Sequence, residues 1–158
     1  MTRRRQTQAG LTLMEMLVVV AIIGVMVGVA FPSITSGIET LRLRSATDEI
    51  VSAFGSAMNR ADRRQVAVEL VVDRTAGRLV FASADPGYRR EVTMPEGVTI
   101  ERVLPVILNL DETLPRQFLL HPGGTVPRIG LELKNRRNTR RVVMVDPITG
   151  TAQVAELP

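Results

Sequence analysis

Residues 11–31 read Leu-Thr-Leu-Met-Glu-Met-Leu-Val-Val-Val-Ala-Ile-Ile-Gly-Val-Met-Val-Gly-Val-Ala-Phe, and only Thr12 and Glu15 in that run are polar. No other segment constrains the chain as tightly. As a helix rising about 1.5 Å per residue, the run reaches roughly 30 Å, the hydrocarbon thickness of a bilayer. Arg3, Arg4 and Arg5 precede it without an acidic neighbour. Arginines so placed hold their flank on the cytoplasmic side, so the long remainder is expected across the membrane. A secretory signal peptide has a shorter apolar core followed by a small-x-small cleavage site. Phe31-Pro32-Ser33-Ile34 does not supply that pattern. A plain signal anchor is the default on hydropathy alone, and a buried core helix fits this length and apolarity poorly.

Glu15 separates an anchor from something more. A carboxylate near the start of an apolar span costs about 2–3 kcal/mol unless it is paired, snorkelled or protonated. A plain anchor gains nothing by carrying it. A free amino group, created by cleavage just before Leu11, would supply a positive partner on the same chain or on a neighbouring one. Pairing between neighbours would relieve two buried charges at once and set the axial register of packed helices. The bland alternative leaves Glu15 at headgroup level without a role.

The stretch Gly10-Leu11-Thr12-Leu13-Met14-Glu15-Met16-Leu17-Val18-Val19-Val20-Ala21-Ile22-Ile23-Gly24 resembles the class III leader and N-terminal helix of type IV pilins and type II secretion pseudopilins. The resemblance implies a prepilin peptidase that cuts after Gly10 and methylates the new N-terminus at Leu11. It makes Glu15 the assembly carboxylate and matches Pro32 to the family's proline at the end of the apolar run, a point of helix kinking. Leu11 departs from the more usual phenylalanine at its position but keeps a large apolar side chain.

Beyond Pro32 the pattern stays helical and becomes amphipathic. Ile34, Ile38, Leu41, Ala46 or Thr47, Ile50, Ala53 or Phe54, Ala57 and Ala61 recur at three- and four-residue steps and are expected to face a globular domain. Arg42, Arg44, Asp48, Glu49, Asn59, Arg60 and Arg63 fall largely elsewhere. From Leu11 to about Arg64 such a helix would be roughly 80 Å long. From Gln65 the period changes to two. Strands are expected at 66–72, 78–81, 98–103, 117–120, 128–133, 141–145 and 151–155, with turns at 73–77, 85–87, 121–124 and 146–150. Pro105 and Pro115 bracket a surface loop, and residues 134–140 close a hairpin. One long helix followed by short strands reads as α+β, with the helix packed on an antiparallel β-sheet domain.

Several details are similar to the GspH/FimT branch of the family. They are Leu41-Arg42-Leu43-Arg44-Ser45-Ala46, Glu49-Ile50-Val51-Ser52-Ala53, the turn from Phe118 to Pro122-Gly123-Gly124, and Val145-Asp146-Pro147-Ile148-Thr149-Gly150. Members of this branch are minor pseudopilins at or near the tip of the type II secretion pseudopilus, or minor pilins. The implied organisation is a cleaved leader (1–10), a transmembrane and filament-core helix (11–31), an amphipathic helix spine (32–64) and a β-rich periplasmic domain (65–158). The implied location is the inner membrane, single-pass, before assembly into a pseudopilus. The implied partners are prepilin peptidase, other major and minor pseudopilins, inner-membrane lipid and exported cargo.

Charge and composition narrow the rest. The net charge is +4, yet removing the three leader arginines from the 20 basic residues leaves 17 against 16 acidic ones. No cysteine is present, which excludes disulfides and thiolate chemistry. Without tryptophan and with a single tyrosine, the chain has little means of stacking on bases. The run Lys134-Asn135-Arg136-Arg137-Asn138-Thr139-Arg140-Arg141 is the one dense basic patch. Its ordinary reading is a solvated hairpin tip. Its functional readings are contact with phosphates of DNA, as in some FimT-like proteins, or with an acidic patch on a neighbouring subunit, through Lys134, Arg136, Arg137, Arg140 and Arg141. Asp146 is expected to cap its own turn rather than bind metal. Asp111 and Glu112 are adjacent and should not converge, and His121 reads as a turn residue. No spacing suggests catalysis, a cofactor or a metal site. The leading expectation is therefore a structural subunit of a type II secretion pseudopilus that helps export folded proteins. The alternative is a FimT-like minor pilin that binds DNA or aids pilus assembly.

Overall fold

The computed structural model describes residues 11–85, 87–107, 111–123 and 126–156, the side chains of residues 29–36 and 156 excepted. One helix, α1 (Leu13–Arg64), is followed by eight strands: β1 (Val68–Asp73), β2 (Arg78–Ser83), β3 (Arg89–Thr93), β4 (Val98–Leu104), β5 (Arg116–Leu120), β6 (Gly130–Asn135), β7 (Arg140–Val145) and β8 (Ala152–Glu156). The chain divides into two units, up to Gly37 and from Ile38 onward.

In the first unit Thr12 starts the helix. Its Oγ1 accepts a hydrogen bond from the Glu15 amide at 3.2 Å, satisfying one of the amides that no preceding turn can reach. The Met16 amide donates to the Thr12 carbonyl at 3.2 Å. Every side chain from Leu11 to Gly28 is exposed, with Leu13 at 81%. Among the described residues no helix is long and apolar enough to cross a membrane. The span expected over residues 11–31 runs past Gly28, and the side chains of residues 29–31 lie outside the described residues. Pro32 falls inside the bounds of α1, and its side chain lies outside the described residues.

In the second unit the helix contributes Leu43, Ala46, Ile50, Ala53, Phe54, Ala57 and Ala61 to the core. These positions follow steps of three and four, so they share one face. The stripe corrects the expectation at its start. Ile38 and Leu41 are exposed and Leu43 is buried. Two residues of helix turn the side chain by about 200°, so Leu41 and Leu43 cannot both face inward. Gln65, at φ 56, ends the helix in the left-handed region, and the Val66 amide closes the last turn on the Ala61 carbonyl.

The expected antiparallel β-sheet domain consists of two four-stranded sheets. Their orders are β3-β2-β1-β5 and β4-β6-β7-β8, and every pairing is antiparallel. In the first sheet Val68, Leu70 and Val72 alternate inward along β1, and Leu70 lies opposite Phe81. The Phe81 ring meets Phe54 of the helix edge-on at 5.2 Å, the geometry aromatic quadrupoles favour. In β4 the buried residues are Val98, Ile100 and Val103, a spacing no regular strand allows. A register shift between Ile100 and Arg102 absorbs the extra residue.

Strand β3 was not expected from sequence. Its residues are Arg-Arg-Glu-Val-Thr, and only Val92 is buried. As the edge of its sheet it takes its hydrogen bonds from β2 and has little apolar pattern to show. The other expected strands fall within two residues of the observed ones at every boundary.

Candidate functional site

Gly10, the expected cleavage position, lies outside the described residues. Leu11 is 71% exposed. Glu15 sits in the first turn of α1, where the helix dipole favours an anion. Its amide is capped by Thr12, but its carboxylate has no ion-pair partner among the described residues. The Thr-x-x-Glu spacing gives Glu15 a local reason to start a helix. It does not give the charge a partner.

The basic run forms the end of β6, the start of β7 and the turn between them. Asn135 builds that turn. Buried to 3% exposure, its side-chain oxygen accepts the amides of Arg137 at 3.0 Å and Thr139 at 2.9 Å. Asn138 takes φ 64, which asparagine tolerates better than most residues.

Three cations of this run, Lys134, Arg136 and Arg140, are paired with the domain's own acids. Lys134 Nζ lies 3.2 Å from Glu101, and Arg140 Nε lies 3.0 Å from the same carboxylate. Arg140 also faces Glu132 at 3.7 Å, as does Arg102 from the neighbouring strand. Arg136 reaches Glu96 at 2.6 Å and Glu39 at 3.9 Å. Arg141 is engaged as well. Arg137 makes no ion pair among the described residues, where its backbone amide donates to Asn135. The Arg136 hydrogen bond, then its charge, holds the Glu96 carboxyl below the usual range, and the same contact raises Arg136.

Sequence reasoning found these cations and missed their acids. Glu39, Glu96, Glu101 and Glu132 come from the helix, a turn and two strands, and only the register of β4 against β6 brings Glu101 beside Lys134 and Arg140. Glu132 carried one local signal, a charge inside the apolar alternation of β6.

The remaining acids are local. The Asp146 Oδ1 accepts the Ile148 amide at 2.8 Å, and this bond first of all depresses its pKa. The turn closes through Gly150 donating to the Asp146 carbonyl at 2.8 Å. Asp111 accepts the Thr113 hydroxyl and amide, which lower its pKa in that order. Glu112 pairs instead with Arg74, so the two adjacent acids point apart. The turn after His121 is tied to the helix end, since the Gly123 amide donates to Asp62 at 2.9 Å. Among the described residues no group of three acids or histidines could hold a metal ion. A groove of about 770 Å³ crosses the outer face of the second sheet, between Leu104, Val142 and Met144 and the Arg102–Glu132–Arg140 cluster. Its charged groups form an ion-pair row, with no nucleophile beside a base.

Residues 5–31 match the prokaryotic N-terminal methylation motif, which covers Gly10, Leu11 and Glu15. No curated protein matches the chain. The fold is similar to that of the minor pseudopilin EpsH from the type II secretion system of Vibrio cholerae, at 16% identity and a TM-score of 0.55, over 73% of this chain and 97% of that one. It is also similar to the type IV minor pilin FimU of Pseudomonas aeruginosa, at 13% identity and a TM-score of 0.53, over 76% and 91%. A second crystal form of FimU gives 14% identity and 0.52, over 72% and 92%. The chain thus carries a prepilin-type methylation motif on a fold shared by minor pseudopilins and minor pilins.

Proposed function

We propose that this chain is a minor pseudopilin, a structural subunit of a type II secretion pseudopilus. Prepilin peptidase cuts after Gly10 and methylates Leu11. Residues 11–31 rest in the inner membrane, the domain lies in the periplasm, and the helix then packs among the helices of other pseudopilins. Glu15 pairs with an N-terminal amine during that packing, Pro32 lets the helix bend, and the β-domain meets tip subunits or exported cargo.

One observation carries the reading. From Leu11 to Gly28 the chain exposes an almost wholly apolar helix whose one carboxylate has no ion-pair partner among the described residues, within the matched methylation motif. Such a helix needs cover from outside its own domain, and its carboxylate needs a cation. Lipid supplies the first requirement. A packed neighbour supplies both.

The likeness to FimU favours a second reading, a minor pilin of a type IV pilus. DNA binding has weaker support in either case. Phosphate contact would compete with the acids that hold Lys134, Arg136 and Arg140, and counterion release is the main source of affinity for nucleic acid. Deleting the chain separates the readings when secreted enzymes and pilus-dependent motility are both scored. Loss of secretion with intact motility is the expected result. Loss of motility with intact secretion assigns the chain to a pilus.

A further inference from the structure

Where α1 enters the second unit, charge holds it before apolar packing does. Leu43 is the first residue of that part of the helix to reach the core, while Ile38 and Leu41 are 45% and 67% exposed. Between them three elements converge. Glu39 comes from the helix, Glu96 from the turn before β4, and Arg136 from the turn after β6. Arg136 uses both ends of its fork, Nη2 on Glu96 at 2.6 Å and Nη1 toward Glu39 at 3.9 Å. Arg42 donates to the Glu96 carbonyl at 3.2 Å. Gly97, at φ +86, leaves room for the approach, because a Cβ there would stand 3.2 Å from Glu39 Oε2 and 3.3 Å from Arg136 Nε. Glu39 is only 14% exposed, yet its Oε2 is buried without a hydrogen-bond partner.

We propose that Glu39, Arg42, Glu96 and Arg136 form an ionic clasp that sets where the β-domain lets go of α1. Closed, the clasp holds the helix from residue 39. Open, the hold begins at Leu43, about one turn later. The geometry suits a device that opens. Arg136 grips an exposed carboxylate tightly and the helix carboxylate loosely, and Ile38 and Leu41 beside it are exposed. The nearby Lys134 turns to Glu101 instead. Arg136 and Glu96 are 58% and 72% exposed, and exposed ion pairs are weak and screened by salt, so small changes in charge should move the release point. For a subunit passing from membrane to filament, the clasp would fix where its helix can bend. That clause rests on the proposed function, whereas the clasp itself needs only the fold.

Hydrogen exchange on the full-length chain in detergent micelles tests it independently of any secretion phenotype. Arg136→Ala and Glu39→Gln should each speed exchange at residues 39–43 by about tenfold and leave residues 46–61 unchanged. About 0.5 M salt should do the same to the unaltered chain, and Arg137→Ala should not. Unchanged exchange at residues 39–43 in both variants overturns the clasp. So does acceleration spread evenly to residue 61, which marks general destabilisation, or an equal effect of Arg137→Ala.

Discussion

Between Leu13 and Gly28 the side chains of α1 are exposed, and all but Glu15 are apolar. Between Leu43 and Ala61 the same helix buries Ile50, Phe54 and Ala57 and turns Arg44, Asp48, Glu49 and Asn59 to solvent. The second stretch is amphipathic because its own sheets cover one face. The first is apolar all round, the pattern of a helix surrounded by lipid or by other helices. One stretch therefore reports on the stability of the domain, the other on what lies outside it. Substitutions that damage one should spare the other.

The largest expected effect is all-or-none. The chain has no cysteine, so a single Leu17→Cys gives a clean probe in the apolar stretch. Carrying a thiol-attached photo-cross-linker, it should cross-link to neighbouring subunits when membranes are illuminated, and adding Glu15→Leu should abolish the cross-link while domain unfolding stays unchanged. A cross-link that survives Glu15→Leu would separate packing from the carboxylate. In the second stretch, Phe54→Ala should cost the domain about 3–5 kcal/mol by denaturant unfolding, since Phe54 is fully buried against Phe81. Leu17→Ala should cost less than about 0.5 kcal/mol in the same assay. Similar losses would break the distinction between the two stretches.

Acid should weaken the domain. Glu96 has a lowered folded pKa because Arg136 hydrogen-bonds its charged form. A lowered value stabilises the fold at pH above the unfolded pKa, and that contribution disappears as pH falls through the folded one. The unfolding temperature should therefore drop on acidification below about pH 4.3, with a smaller drop in Arg136→Ala. Asp146 and Asp111 act in the same direction, so part of the drop should persist. The smallest effect is expected at the boundary. Leu41→Ser should change stability by less than about 0.5 kcal/mol, because Leu41 is 67% exposed. A larger loss would place Leu41 with the core.

Legibility followed the range of the interactions. The helix, the turn at Asp146 and the β6–β7 hairpin announce themselves in periodicity and turn residues, because neighbours in sequence make them. Strand β3 does not, since Arg89, Arg90 and Glu91 hide a single buried valine. The split into two sheets depends on pairings such as β1 with β5, which no local pattern encodes. The candidate site divides in the same way. Leu11 and Glu15 are readable within a few residues of each other. The basic run looks like a free patch in sequence and becomes a set of ion pairs only when Glu39, Glu96, Glu101 and Glu132 arrive from elsewhere.

The central claim is that the apolar stretch begins at a processed end whose amine can meet a carboxylate like Glu15. Mass spectrometry of the N-terminal peptide, from membranes of cells with an active prepilin peptidase, tests it most directly. The account predicts a peptide beginning at Leu11 and carrying one added methyl group. A peptide that retains residues 1–10 would contradict it and leave a signal-anchored domain.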